Sequence, residues 1–247
     1  MSKHLTYRSK NPALNPSTFS NTISSDSLGS MTIQGTVDKT AIALSILLVG
    51  GYFGFTSYSP ILIGAGFIFG FIIAIITIYK KHWAPYTVPI YCAMEGLALG
   101  GISFMYQTVY GDGIVLQAIS LTIFILFALL IAYRSKIIKP TENFKLGVFA
   151  ATAGIALLYV VDLIMSFFSS GISLLNIENT SGISILFSLF VMVIASLNLV
   201  IDFDFIEEGA EKGAPKYMEW YGAFGLLVTL IWLYLEILRF LAKMRSR

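Results

Sequence analysis

Residues 182–206, GISILFSLFVMVIASLNLVIDFDFI, and residues 218–242, MEWYGAFGLLVTLIWLYLEILRFLA, decide the fold. A helix needs about 20 mainly apolar residues to cross the hydrocarbon core of a bilayer, and each stretch supplies them without interruption. Neither shows the in–out alternation of a membrane β-strand, so both read as helices. Each run also holds an acid, Asp202 in the first and Glu236 in the second. A charge at the bilayer centre costs about 2.5–3.5 kcal/mol on insertion scales, so such acids face a partner, a cavity or an ion path.

The rest of the chain repeats the pattern. Hydrophobic residues make up 56% of the 247 and charged residues 12%, where a soluble domain carries roughly 25% charged residues. Five further apolar segments run approximately over residues 40–57, 60–79, 86–107, 114–133 and 145–168. The separators carry turn and charge signals: Ser59-Pro60, Lys80-Lys81-His82, Gly111-Asp112-Gly113, Lys139-Pro140, Glu178-Asn179 and Gly213-Ala214-Pro215. The expected fold is therefore an all-α integral membrane protein, a bundle of seven transmembrane helices over residues 40–243. A mobile polar tail is expected over residues 1–39, and a short basic tail over 244–247.

Several function classes lack their residues. The net charge of +2 comes with no basic, aromatic-interleaved patch for nucleic acid. Cys92 is the single cysteine, so a disulfide or cysteine-based metal site within one chain is excluded. The two histidines, His4 and His82, fall in the tail and a loop. No HExxH, P-loop or GxSxG pattern occurs, and no nucleophile–base set is assembled, so the expectation is a non-enzyme without a resident cofactor. Residues 1–39, rich in Ser, Asn and Thr, show no apolar signal-peptide core, so the first span is expected to be the insertion signal.

Lysine and arginine set the expected orientation. They occupy the N-terminal segment (Lys3, Arg8, Lys10, Lys39) and the second, fourth and sixth loops, while the first, third and fifth have none. That places the N-terminus in the cytoplasm. Lys243, Arg245 and Arg247 conflict with it, because seven spans put the C-terminus on the other side.

Small residues recur at helical spacing in Gly50–Gly54, Gly66–Gly70 and Gly96–Gly100, which is read as close helix packing. Glu95, beside Gly96, lies near mid-membrane and is either a hydrogen-bonded packing residue or a functional acid. Asp162, late in the fifth span, reads first as an interfacial structural residue and second as part of an outer mouth. Asp202 is buried if the sixth helix continues to about Gly209 or Gly213 and interfacial if it stops at Phe205. Asp204, Glu207, Glu208 and Glu211 read as a solvated face. Glu236 is deep by any assignment, and Arg239 three positions on can pair with it along one helix face. Two carboxylates close together in low dielectric share a proton, and such a pair also suits a hard cation such as Ca²⁺.

Four segments then carry a resemblance: MTIQGTVDKTAIAL before the first span, PIYCAMEGLALGGIS in the third, LNLVIDFDFIEEG in the sixth and WYGAFGLLVTLIWLYLEILRFL in the seventh. Together the chain from about Asn11 to Lys243 resembles the Bax inhibitor-1 family of multi-pass membrane proteins, with NPALN and MTIQGTVDKT pointing to a long-tailed bacterial subgroup. The resemblance implies a seven-helix bundle with the last helix near the centre, and a pH-sensitive calcium leak in a bacterial inner membrane. The leak would be controlled by an acid pair from the sixth and seventh helices. By motif position Asp202 and Glu236 are that pair, with Glu95 of the EGL motif in support. The seventh-helix acid is Glu where the family has Asp, and Asp202 and Glu236 are further apart than in compact members. No arginine in the second span offers a gating counter-ion, leaving Arg134 or Arg239 for that role. Two other functions remain open: a non-conducting regulator that binds stress or protease partners, and a cation/proton exchanger.

Overall fold

The computed structural model describes residues 29–168 and 171–246, and among them it is all-helical, with seven helices long and apolar enough to cross a membrane. These are α1 (Ile33–Thr56), α2 (Pro60–Tyr79), α3 (Ala84–Tyr110), α4 (Ile114–Arg134), α5 (Glu142–Ser166), α6 (Gly182–Glu211) and α7 (Met218–Arg245), with a 3₁₀ turn over Lys81–Trp83 leading into α3. The apolar window is 56% buried in the third span and 50% in the last, against 11–17% in α1, α2, α4 and α5. Those four therefore turn most of their surface to lipid, while α3 and α7 are the enclosed helices.

Helix boundaries correct the expected ones where a cap or a partner overrides composition. The expected polar tail reached residue 39, but α1 begins at Ile33. Thr32 caps it, its side chain accepting from Gly35 N–H at 2.9 Å, and Gln34, Asp38 and Lys39 ride on the first turns. The segment ahead of the cap is tied down as well. Met31 N–H donates to Ala214 C=O at 2.6 Å, Lys216 N–H donates to Gly29 C=O at 3.2 Å, and Ser30 pairs with Pro215 in an antiparallel bridge. Residues 1–28 of the expected tail, with His4 and NPALN, lie outside the described residues. At the other end α7 runs on through Met244 to Arg245, so the first two residues of the expected basic tail are helix.

The chain divides into two compact units. Among the described residues, the first comprises residues 29–105 and Asp202–Val228. Its packing is built on glycine. A Cβ on Gly50 would stand 2.9 Å from Ala93 C=O and 3.3 Å from Gly96 Cα, and one on Gly96 would stand 3.1 Å from Gly50 Cα. On Gly54 and Gly100 a Cβ would collide with the carbonyls of Leu97 and Gly51. Helices α1 and α3 thus meet backbone to backbone, as small residues allow in lipid. Gly66 brings α2 onto α3 in the same way, where a Cβ would lie 2.7 Å from Met94 C=O. Thr77 Oγ1 donates to Thr87 Oγ1 at 2.8 Å, locking the end of α2 to the start of α3. Tyr91 of α3 meets Phe224 of α7 edge-on at 5.1 Å.

Among the described residues, the second unit comprises residues 106–168, 171–201 and 229–246. Ile155 of α5 with Val191 and Ile194 of α6 forms its apolar centre, covered by Ala151, Tyr159, Phe187 and Trp232. Asn198 Nδ2 donates to Thr152 Oγ1 at 2.9 Å and joins α6 to α5 through a polar contact.

Candidate functional site

The sequence singles out Glu95, Asp202 and Glu236, and the structure buries all three, at 8%, 3% and 2% exposure. Asp202 and Glu95 belong to the first unit and Glu236 to the second.

Helix α6 continues unbroken to Glu211, nine residues past Asp202. At 1.5 Å per residue that is about 14 Å of helix. The alternative in which α6 stops at Phe205 is thereby excluded, and Asp202 is a buried acid. Glu95 stands eleven residues into α3, about 17 Å from its start and so at comparable depth. Below Asp202, α6 carries the acidic stretch outward. Glu207 and Glu211 are exposed and Glu208 pairs with Lys212, which fits a solvated face.

Glu95 lies against the backbone of α2. A Cβ on Gly70 would stand 2.9 Å from its Oε1, so glycine at position 70 makes room for the carboxylate. Its Oε2 is buried and finds no hydrogen-bond partner among the described residues. Burying such a group without a partner is costly.

Glu236 has the opposite environment. Tyr159 Oη donates to its Oε1 at 2.6 Å, Trp232 Nε1 donates to the same oxygen at 3.2 Å, and Arg239 Nη1 reaches both carboxylate oxygens at 3.1 and 3.2 Å. Arg239 Nη1 also donates to Tyr159 Oη at 2.7 Å, and its guanidinium lies over the Tyr159 ring at 5.2 Å. The pairing along one helix face, Trp232, Glu236 and Arg239 at spacings of four and three, is legible from sequence. Tyr159, 77 residues away on α5, is not. Of the two arginines considered as counter-ions, Arg239 holds Glu236, while Arg134 is exposed at the end of α4.

Beyond Arg239, α7 ends in two more cations, each seated on oxygen. Lys243 is fully buried. Its Nζ donates to Ser184 Oγ at 2.7 Å and to Leu174 C=O at 3.1 Å. Arg245 donates to the C=O groups of Tyr110, Gly111 and Asp112. The basic C-terminus that conflicts with the loop-charge rule is explained here. These side chains cap loop and helix-end carbonyls, so they are tertiary ligands in the fold. Asp162 is likewise structural: its Oδ1 accepts from Ile172 N–H at 2.6 Å, with Gly171 at φ +73° giving the turn room.

A further buried acid escaped the sequence reading. Glu219, fully buried in the first turn of α7, accepts at Oε1 from Thr32 N–H (3.0 Å), Thr32 Oγ1 (2.9 Å) and Lys216 Nζ (2.8 Å). Gly35 leaves room for this carboxylate, which a Cβ there would push aside. Position 219 sits at a helix start in a charged stretch, where an acid is ordinarily solvated. Only its partner 187 residues away makes it special.

Among the described residues no three His, Cys, Asp or Glu side chains gather as a metal site. No curated protein matched the chain in a sequence search. A family model described as Bax inhibitor 1 like matches residues 11–246. The match covers nearly the whole chain, and the protein belongs to the Bax inhibitor 1-like family.

Proposed function

We propose that this Bax inhibitor 1-like membrane protein forms a passive, pH-sensitive pathway for Ca²⁺ that requires both Asp202 and Glu236, with Glu95 in support. The observation that carries this reading is the burial of three acids within apolar helices, at 2–8% exposure. Acids kept at such depth in a bilayer mark ion or proton routes by default. Carboxylates and carbonyl oxygens suit Ca²⁺, a hard cation. Protonation discharges a carboxylate, so a pathway that needs two of them responds to pH. The reaction is transport rather than catalysis, and Ca²⁺ is its cargo; no resident cofactor is involved. The membrane is a bacterial inner membrane with the N-terminus in the cytoplasm, the side to which the loop lysines and arginines assign it.

Reconstitution in liposomes loaded with a calcium indicator tests this reading. Wild-type protein is expected to pass Ca²⁺ down its gradient at a pH-dependent rate, and Asp202→Asn and Glu236→Gln each to change the rate and flatten the pH profile. Flux indifferent to both substitutions overturns it. Uphill Ca²⁺ movement under an imposed proton gradient would make the protein a cation/proton exchanger. No flux, together with a stable crosslinked membrane partner, would make it a non-conducting regulator.

A further inference from the structure

The turn between α3 and α4 gathers four oxygens around Arg245, three of them backbone carbonyls converging on a single nitrogen. Arg245 Nη1 lies 3.0 Å from Tyr110 C=O, 3.0 Å from Gly111 C=O and 3.2 Å from Asp112 C=O. Its Nη2 donates to Gln117 Oε1 at 3.0 Å. An Nη nitrogen carries two hydrogens in a fixed planar fork, so three carbonyls oversubscribe it. Two glycines produce the convergence: Gly111 at φ +92° and Gly113 at φ +85° curl the backbone on either side of Asp112. These are backbone conformations that other residues rarely take. The carbonyls also sit at the negative end of the α3 dipole. The Asp112 carboxylate is held in the same turn by Gln107, whose Nε2 donates to Oδ1 at 3.2 Å.

Three backbone carbonyls and an amide oxygen, in a turn that also carries the Asp112 carboxylate, make a ligand set for a hard, roughly spherical cation. Ca²⁺ takes six to eight such oxygens at about 2.3–2.6 Å and completes its shell with water. The cage would have to tighten by about 0.6 Å from its present spacing around nitrogen. Arg245 and the turn are exposed, so exchange with a dissolved ion is open. Lys243 provides the contrast: its oxygen seat at Ser184 and Leu174 is fully buried, and the ammonium there is a fixed rivet.

We propose that the α3–α4 turn is a Ca²⁺ site in which Arg245 is the tethered occupant of the ion-free state. Ca²⁺ entering the cage releases Arg245, and with it the last turn of α7, the helix that carries Glu236. The site stands independently of the leak: it would exist in a protein that conducts nothing.

The test uses the full chain in nanodiscs, with Tb³⁺ as the probe, its luminescence sensitised by Tyr110 beside the cage. Arg245→Gln is expected to bind Tb³⁺ at least about tenfold more tightly than wild type. Arg245→Lys should stay close to wild type, because it keeps a tethered cation. Ca²⁺ should displace the probe and Na⁺ should not. Adding Gln117→Leu or Asp112→Asn to Arg245→Gln should reverse most of the gain. A Tb³⁺ affinity unchanged by Arg245→Gln, or a gain that survives both additions, overturns the proposal and leaves Arg245 a helix cap. Wild-type protein gives a second readout: Ca²⁺ should increase modification of Arg245 by phenylglyoxal, and a constant labelling yield contradicts exchange. The gain in Tyr110-sensitised Tb³⁺ binding produced by Arg245→Gln should persist in the Asp202→Asn and Glu236→Gln backgrounds, so failure of the flux reading and failure of this one are separable.

Discussion

The two units of the molecule solve the problem of packing helices in lipid with different chemistry. In the first, α1, α2 and α3 approach until backbone touches backbone, and the determinants are absent side chains: Gly50, Gly54, Gly66, Gly96 and Gly100. In the second, α5, α6 and α7 are joined by side chains that have something to donate: Asn198 to Thr152, Tyr159 and Arg239 to Glu236, Lys243 to Ser184. Apolar surface has little drive to associate within a bilayer, so contact must come from close packing or from hydrogen bonds. One unit leans on the first and the other on the second. Two of the buried acids follow the same division, since Glu95 lies against a glycine of α2 and Glu236 is ringed by donors.

The sharpest way to break this contrast is to remove one member of the polar ring. Glu236→Leu leaves Arg239 and Tyr159 facing an apolar side chain. Breaking a buried ion pair from one side costs about 3–5 kcal/mol, and unfolding in detergent should register that loss. Gly100→Val attacks the other unit by driving a branched side chain into the Gly51 carbonyl. Overpacking of this kind costs about 1–3 kcal/mol, here at the upper end because the obstacle is backbone, and thermal melting of the purified variant checks it. Lys243→Met keeps the volume but strips the donor from Ser184 and Leu174. A loss of about 1–3 kcal/mol is expected from the orphaned acceptors, with faster hydrogen exchange at the start of α6. Thr32→Ala removes the cap of α1 and one donor to Glu219, at about 1 kcal/mol by chemical denaturation. Gly64→Ala is the control. Nothing lies within 4 Å of its Cβ position, so in contrast to Gly100 a small gain of about 0.5 kcal/mol is expected from helix propensity.

What could be read from the sequence divides along the same physical line. Interactions local to one helix were legible: seven apolar runs, the glycine spacing, and Glu236 with Arg239 three residues apart. Interactions that close over long separations were not. Tyr159 completes the Glu236 cluster from 77 residues away, and Glu219 anchors Thr32 across 187. The start of α1 is an exception, misplaced although its cap is local. Residues 33–39 look polar enough for a tail, yet Thr32 is an N-cap candidate, and a helix start was there to be found three residues before Gly35. Lys243 and Arg245 read as topological charges because their real partners are backbone carbonyls, which no sequence displays as special. Asp202 was the undecided case. Its burial turned on how far α6 continues, and the acidic turns up to Glu211 remain helical.

The central claim is that Asp202 and Glu236 serve one pathway. Ca²⁺ flux into proteoliposomes, recorded from acidic to alkaline pH for wild type, Asp202→Asn, Glu236→Gln and the double variant, tests it most directly. The account predicts a pH-dependent wild-type rate, an altered and flattened profile in each single variant, and a double variant no worse than the more severe single one. A wild-type pH profile retained in the double variant would contradict it.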